Sequence, residues 1–226
     1  MINQLTELFK LVGVGLVLML PLANSLTSMT LLLSLGHQIP YKERERQITM
    51  AAFYVVAIML VTYYGGNFIM QTFGISIPGL RIAGGLIVAV IGFTMLFPAN
   101  ALQEIPEAEL ALSDAGHQKV PNIAFVPLAL PGPAGPGTIA MIVSATSVDA
   151  GAISYTPWVL AVSPFIVFAI LGFIFWLCLR SAGRIVSLIG DGGVQAISRV
   201  MGFLLVCMAV QFVINGILEI IAQNRL

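Results

Sequence analysis

Long apolar stretches alternate with short polar ones along the chain, and they set its elements. Six segments are predominantly hydrophobic, at about 8–35, 48–70, 80–97, 121–147, 155–179 and 198–221. The hydrocarbon core of a bilayer is about 30 Å thick and takes about 20 apolar residues as helix. Each segment therefore predicts one membrane-spanning helix. The runs 47–80, 82–103 and 120–148 contain no Asp, Glu, Lys, Arg or His, which suits hydrocarbon. Segments 1 and 4 are longer than a span requires, and both are interrupted. The first interruption reads Leu20-Pro21-Leu22-Ala23-Asn24-Ser25-Leu26-Thr27, the second Leu130-Pro131-Gly132-Pro133-Ala134-Gly135-Pro136-Gly137-Thr138. Proline removes a backbone hydrogen bond and clashes with the preceding turn. In hydrocarbon the freed groups must find partners. Both segments thus predict discontinuous helices, buried in protein or lining a cavity.

Composition narrows the class. Hydrophobic residues are 58% of the chain and charged residues 9%, with a mean hydropathy of +0.99. Soluble domains carry about 25% charged residues, so this is an integral membrane protein whose first partner is the lipid bilayer. Ten basic residues balance ten acidic ones, and no basic patch points to nucleic acid. Cys178 and Cys207 lie apart in apolar runs and form no metal or redox motif; both are expected as small buried hydrophobes. No cofactor is implied. Lys42, Arg44, Arg46, Lys119, Arg180, Arg184 and Arg199 fall on one side of the predicted spans, and Lys10, Arg81 and Arg225 on the other. The positive-inside rule then places both termini outside the cytoplasm. The first apolar run superficially resembles a signal peptide. Its n-region carries Glu7, however, and the run continues to Leu35, so the segment is expected to be retained.

The two halves look alike. Arg81-Ile82-Ala83-Gly84-Gly85-Leu86-Ile87-Val88 matches Arg199-Val200-Met201-Gly202-Phe203-Leu204-Leu205-Val206 in register at Arg, Gly, Leu and Val, and Gly74 and Gly192 share the same offset. The first segments align in two registers, one pairing Pro21-Leu22-Ala23 with Pro127-Leu128-Ala129, the other pairing Asn24–Thr27 with Gly135–Thr138. The second is favoured because it superposes the interruptions. Three spans per half force the copies to enter the membrane from opposite sides. The expected fold is an all-α membrane protein with six transmembrane helices as two inverted three-helix repeats, segments 1 and 4 being discontinuous. Residues 1–100 form the first repeat, 101–119 an acidic cytoplasmic linker and 120–226 the second repeat.

Matched helix breaks in two repeats point to a transporter's binding site. Asn24, Ser25 and Thr27 can bridge or cap the first break, while Gly135, Pro136, Gly137 and Thr138 shape the second. These seven are the candidate substrate-binding residues. A half-helix N-terminus offers N–H groups and partial positive charge to a carboxylate, and the facing carbonyls suit an ammonium group. Pro164 and Gly65-Gly66 read as kink or packing features, Arg81 and Arg199 as interfacial anchors, and Asp191 as a turn residue. No carboxylate is expected within the spans to relay protons. His37 and His117 fall in loops and no span holds a histidine or paired aspartates, so no catalytic residue is expected. No phosphate-binding loop is present, and uphill flux would need an ion gradient.

At Pro21-Leu22-Ala23-Asn24, Ile75-Ser76-Ile77-Pro78-Gly79-Leu80-Arg81-Ile82-Ala83-Gly84-Gly85, Ala134-Gly135-Pro136-Gly137-Thr138 and Ile197–Leu205 the chain resembles the MarC family of bacterial inner-membrane proteins. That family includes SnatA-like transporters of small neutral amino acids. Ser25 departs from the pattern, since many relatives carry proline after the Asn. The resemblance implies six spans and transport of glycine, alanine or similar solutes, and it tilts the coupling ion towards the proton, with Na⁺ as the other option. An exporter of amino acids or other metabolites and a non-transport scaffold are the competing readings. Homo-oligomerisation is left open.

Overall fold

The computed structural model describes residues 2–35, 39–97, 122–130, 132–152 and 156–223. The acidic linker, His37, His117 and Pro131 lie outside the described residues. Every described element is helical, with no strand among the described residues. They are α1 (Ile2–Met19), α2 (Ser25–Leu35), α3 (Tyr41–Phe73), α4 (Ile77–Leu96), a short π-type segment α5 (Ala124–Ala129), α6 (Pro136–Ala152), α7 (Pro157–Arg180) and α8 (Ala182–Gln223). Four stretches are individually long and apolar enough to cross a membrane: α3, α4, α7 and Gly192–Gln223 of α8. The first apolar segment is divided by residues 20–24 into α1 and α2; in the fourth, the short α5, whose Val126 leaves helical geometry (φ −121°, ψ 124°), is followed by turns at 132–135 and then α6.

Several boundaries move from their expected places. Helix α3 starts at Tyr41 because Lys42-Glu43-Arg44-Glu45-Arg46 continues the helix beyond the apolar run, where hydropathy has no signal. It stops at Gly74, whose left-handed backbone (φ 63°) returns its N–H to Gln71 O at 3.3 Å. After that turn, Ser76 caps α4 by accepting from Gly79 N–H at 3.2 Å, with Pro78 in the first turn. In the second half the interruption falls at Gly190 (φ 73°, ψ 164°), next to Asp191 and two residues before Gly192, which shares the offset of Gly74. Helix α7 runs through Pro164 without leaving helical geometry.

Helices α4 and α8 run antiparallel, as do α3 and α7, while α1 and α7 run parallel, and small residues let them close. Along the α4–α8 seam a Cβ on Gly92 would meet Gly202 O at 2.8 Å, and one on Gly85 would meet Ala209 O at the same distance. Lipid is as apolar as leucine, so helices in a bilayer associate through close packing of this kind rather than by a hydrophobic force. Helix α3 packs on α7 and α6, α6 on α4, α1 on α7, α5 on α3, and α2 on α5, α7 and α8. The core between them is apolar, built on residues such as Met29, Val55, Met59, Val88, Leu128, Ile142 and Phe175. Cys207 is exposed on α8 and Cys178 half-buried, so the expected burial of both thiols is corrected: α8 presents one face outward to lipid.

Charge separates to the two ends. The start of α3 meets the end of α7 through Arg180 Nη1 to Glu45 Oε2 at 3.2 Å, with Arg180 over the Trp176 ring and Arg44 over Tyr41. Arg184 follows within a turn, and together these form a basic, aromatic-flanked end. The opposite end carries Glu7, Arg81 and Glu219, and there Thr156 Oγ1 donates to Glu7 Oε2 at 3.2 Å.

Substituting Gly92→Val should lower the stability of the purified protein by about 1–3 kcal/mol, the usual range for overpacking, in a detergent unfolding titration. Gly13→Ala, whose Cβ meets nothing within 4 Å, should change it little. Equal behaviour of the two variants would remove the α4–α8 seam from its structural role.

Candidate functional site

The second interruption and the end of α5 meet α2 one turn past the first interruption. Ser28, fully buried one turn into α2, donates from Oγ to Leu128 O at 2.9 Å, linking α2 to α5 across the divide between the halves. Gly132 lies against the same hydroxyl, and a Cβ there would stand 2.6 Å from Ser28 Oγ. The start of segment 4 is held by Gln47, buried on α3, whose Oε1 accepts from Ile123 N–H at 3.1 Å. The Val126–Pro127 peptide is cis.

Each predicted site residue has a definite place. Asn24 precedes α2, and its Oδ1 accepts from Leu26 N–H at 3.0 Å, while Nδ2 reaches Met95 Sδ on α4 at 3.5 Å. Ser25 is half-buried within hydrogen-bonding reach of the Cys178 thiol on α7. The Thr27 side chain is exposed. In the second break Gly135, Gly137 and Thr138 are buried and Pro136 is exposed. Ala134 N–H donates to Ala129 O, Gly135 N–H to Gly132 O, and Ile139 N–H to Gly135 O. Pro136 has no N–H, so the first turn of α6 offers those of Gly137 and Thr138. Gly137 packs on Val88, the close approach that its lack of Cβ permits.

A cavity of about 480 Å³ opens beside these breaks at the Arg81 end. One wall is α1, from Leu11 to Met19, and the facing wall is α6, at Met141, Ile142, Ser144 and Ala145, with α3, α4, α7 and α8 closing the sides. Met19 is the last residue of α1. Met141 and Ile142 lie one turn past Thr138, so the cavity ends a turn short of the second break, and none of the seven candidate residues lines it. Its walls are apolar except for Tyr63, Arg81, Ser144, Ser163 and Asn215.

Arg81 is the main correction. An interfacial anchor is expected to be wet, yet its side chain is only 12% exposed. Its Nε donates to Ser144 Oγ at 2.6 Å, and Nη1 donates to Glu219 Oε2. Glu219 is 29% exposed, so the last span does carry a partly buried carboxylate, paired with the cavity-lining Arg81 one turn beyond Asn215, contrary to the expectation of none. Arg199, its counterpart in the repeat, is exposed as expected. The sequence signal for Arg81 was its position at the edge of a long charge-free run. The partner Glu219 lies 138 residues away and gave none. Ser28, Gln47 and Ser144 were likewise missed, being single polar residues among apolar ones.

A cavity of a second kind, about 490 Å³, lies at the basic end, between α2, α3, α7 and the start of α8, lined by Tyr41, Arg44, Trp176, Arg180 and Arg184. Among the described residues no group of His, Cys, Asp or Glu could hold a metal.

An all-helical bundle with four helices, among the described residues, long and apolar enough to cross a membrane defines a multi-pass membrane protein. The sequence pattern of the MarC family of integral membrane proteins matches residues 9–221, and the chain belongs to that family. It is 57% identical over 215 residues to the UPF0056 inner membrane protein MarC of Salmonella typhimurium, covering 95% of this chain and 97% of that one. It is 56% identical over 219 residues to the protein of the same name from Escherichia coli O157:H7, covering 97% and 99%. No solved structure matches. With such relatives the chain is placed in the bacterial inner membrane.

The contact between the breaks predicts a coupled pair of substitutions. Gly132→Ala should destabilise the purified protein more in the Ser28 background than in Ser28→Ala, because removing the hydroxyl removes the obstacle. Ser28→Ala alone should cost about 1 kcal/mol, the net worth of one hydrogen bond. Additive effects in the double-mutant cycle would separate the two positions.

Proposed function

We propose that this protein is a secondary transporter of small neutral amino acids, of the glycine, alanine and serine class, working by alternating access between two inverted three-helix repeats. Residues 1–100 and 120–226 form the repeats, joined by the cytoplasmic linker 101–119. The reading pairs α1 with α5, α2 with α6, α3 with α7 and α4 with α8. Exchanging the halves under this pairing carries the α1–α7 contact onto α5–α3, α2–α7 onto α6–α3, and α2–α8 onto α6–α4, while α3–α7 and α4–α8 map onto themselves. All of these contacts occur. Segregation of the arginines to the α3 N-terminal end supports periplasmic termini.

The α2–α5 contact, like α7–α8, has no counterpart of equal extent, and α2–α5 carries the proposal. Helix α2 touches α5 through Ser28 and the Leu128 carbonyl. The equivalent elements, α1 and α6, instead face each other across the 480 Å³ cavity. One gate is thus shut on the cytoplasmic side while its counterpart stands open on the periplasmic side, the pattern of an outward-facing state. Closing α1 on α6 and parting α2 from α5 would give the inward-facing state with the same contacts in mirrored roles. The substrate carboxylate would be received at the Gly137 and Thr138 N–H groups of α6, with Gly135 and Pro136 shaping the turn. Asn24, Ser25 and Thr27 would line the opposite break. The driving ion would be the proton, with Na⁺ as the alternative.

Reconstituted in liposomes, the protein should accumulate labelled glycine, alanine or serine under an imposed ion gradient. Gly135→Val should abolish that flux with normal membrane insertion, and Thr138→Val should weaken apparent affinity by about 0.5–1.5 kcal/mol. Unaltered flux in Gly135→Val would remove the second break from the site. For orientation, cysteines placed at Glu7 and at Glu43, with Cys178 and Cys207 replaced by serine, should differ in intact cells. An impermeant thiol reagent should label position 7 and spare position 43; the reverse would invert the topology.

A further inference from the structure

The proposed transport reading assigns the carboxylate to backbone N–H groups deep in the bundle. Arg81 on the cavity wall offers something different, a charged pair built from both halves, with Glu219 just outside the lining. Arg81 belongs to α4 and Glu219 to α8, while Ser144 on α6 steers the guanidinium. Charged side chains in a span are expensive and mark functional positions by default. A purely structural clasp between α4 and α8 is unnecessary, because close glycine packing joins these helices from Gly85 to Gly92.

We propose that Arg81 and Glu219 form a clamp for the amino acid zwitterion at the outer mouth, resting on the transport reading above. An arriving α-carboxylate takes the place of the Glu219 carboxylate on Arg81, and the released Glu219 carboxylate receives the α-ammonium. Charge is conserved throughout: one ion pair opens and two form, with no proton or electron transferred. Arg81 is equipped for the exchange. A guanidinium presents five N–H donors, of which Ser144 and Glu219 take one each, so the remaining donors can engage a carboxylate before Glu219 leaves. Glu219, at 29% exposure, is the more accessible partner and the one that can swing away. The clamp selects for both charges at once. A carboxylate alone would strand Glu219, and an amine alone would strand Arg81, each leaving a partly buried charge without its partner. The apolar walls below, including Leu160 and Val167, accept a neutral side chain and disfavour a third charge.

The test uses the full-length purified protein in nanodiscs, titrated calorimetrically with L-alanine, propionate and ethylamine. These share a small aliphatic body and differ in which charges they carry. The wild type should bind alanine at least tenfold more tightly than either single-charge analogue. In Glu219→Gln the preference for alanine over propionate should fall at least tenfold, because the amide cannot pair with ammonium. Arg81→Gln should lose alanine and propionate binding together. Glu219→Asp, which retains the charge with a shorter reach, should keep the preference at reduced affinity, and serves if Glu219→Gln does not fold. An unchanged alanine-to-propionate ratio in Glu219→Gln, or unchanged affinities for all three ligands in Glu219→Asp, would overturn the clamp while leaving the transport reading in place. A wild type that binds none of the three would overturn both.

Discussion

Backbone polar groups have no water to bond in hydrocarbon, and each one left unpaired there is worth several kcal/mol. A helix broken inside a membrane must therefore be buried against something that satisfies it. Here polar side chains beside the breaks do so. The Leu128 carbonyl, in α5 before the second break, accepts from the Ser28 hydroxyl one turn into α2, and Gly132 makes room for that hydroxyl. Asn24 caps the helix that follows its own break. Gln47 supplies the acceptor for the start of segment 4. The centre of the bundle is fixed by these few polar contacts, and the continuous helices are arranged around them.

The continuous helices supply the frame. Antiparallel α4 and α8 lie together along glycines, and antiparallel α3 and α7 are tied at the basic end by Arg180 and Glu45. Interfaces of this type are tight yet contain few directional bonds, which would suit the relative motion of the two halves in the proposed transport cycle. The cavity at the Arg81 end occupies the space where α1 and α6 part. Thr138, Met141 and Ala145 follow one another at helical spacing on α6, so a single helix face leads from the rim of that cavity to the second break. Geometry thereby joins a charged mouth to a polar backbone end within one short helix.

Much of this was legible in the sequence because it was written in local residue chemistry. The apolar runs gave the helices, and the prolines at 21, 131, 133 and 136 located both interruptions. Lysine and arginine placement distinguished the two ends. Pairing was not legible. Ser28 carries no mark that separates it from Ser25, yet it is the one that bridges the breaks. Arg81 and Arg199 occupy matched places in the repeat, but Arg81 is drawn inward by Ser144 and Glu219 while Arg199 stays exposed. That difference depends on residues far along the chain. Polar helix extensions were equally hidden, as in the first turns of α3, since a hydropathy pattern ends where the hydrocarbon does.

In the proposed mechanism one broken segment yields while the other closes, so the α2–α5 seam and the α1–α6 cavity should never be open together. The most direct test measures thiol accessibility at Ser28→Cys in the seam and at Leu160→Cys in the cavity, each in a chain whose Cys178 and Cys207 are serine. Without ligand, Leu160→Cys should react with an impermeant reagent from the periplasmic side and Ser28→Cys should stay silent in inside-out vesicles. Saturating alanine should lower the first reactivity and raise the second. Reactivities that ignore alanine, or that rise at both positions at once, would contradict the account.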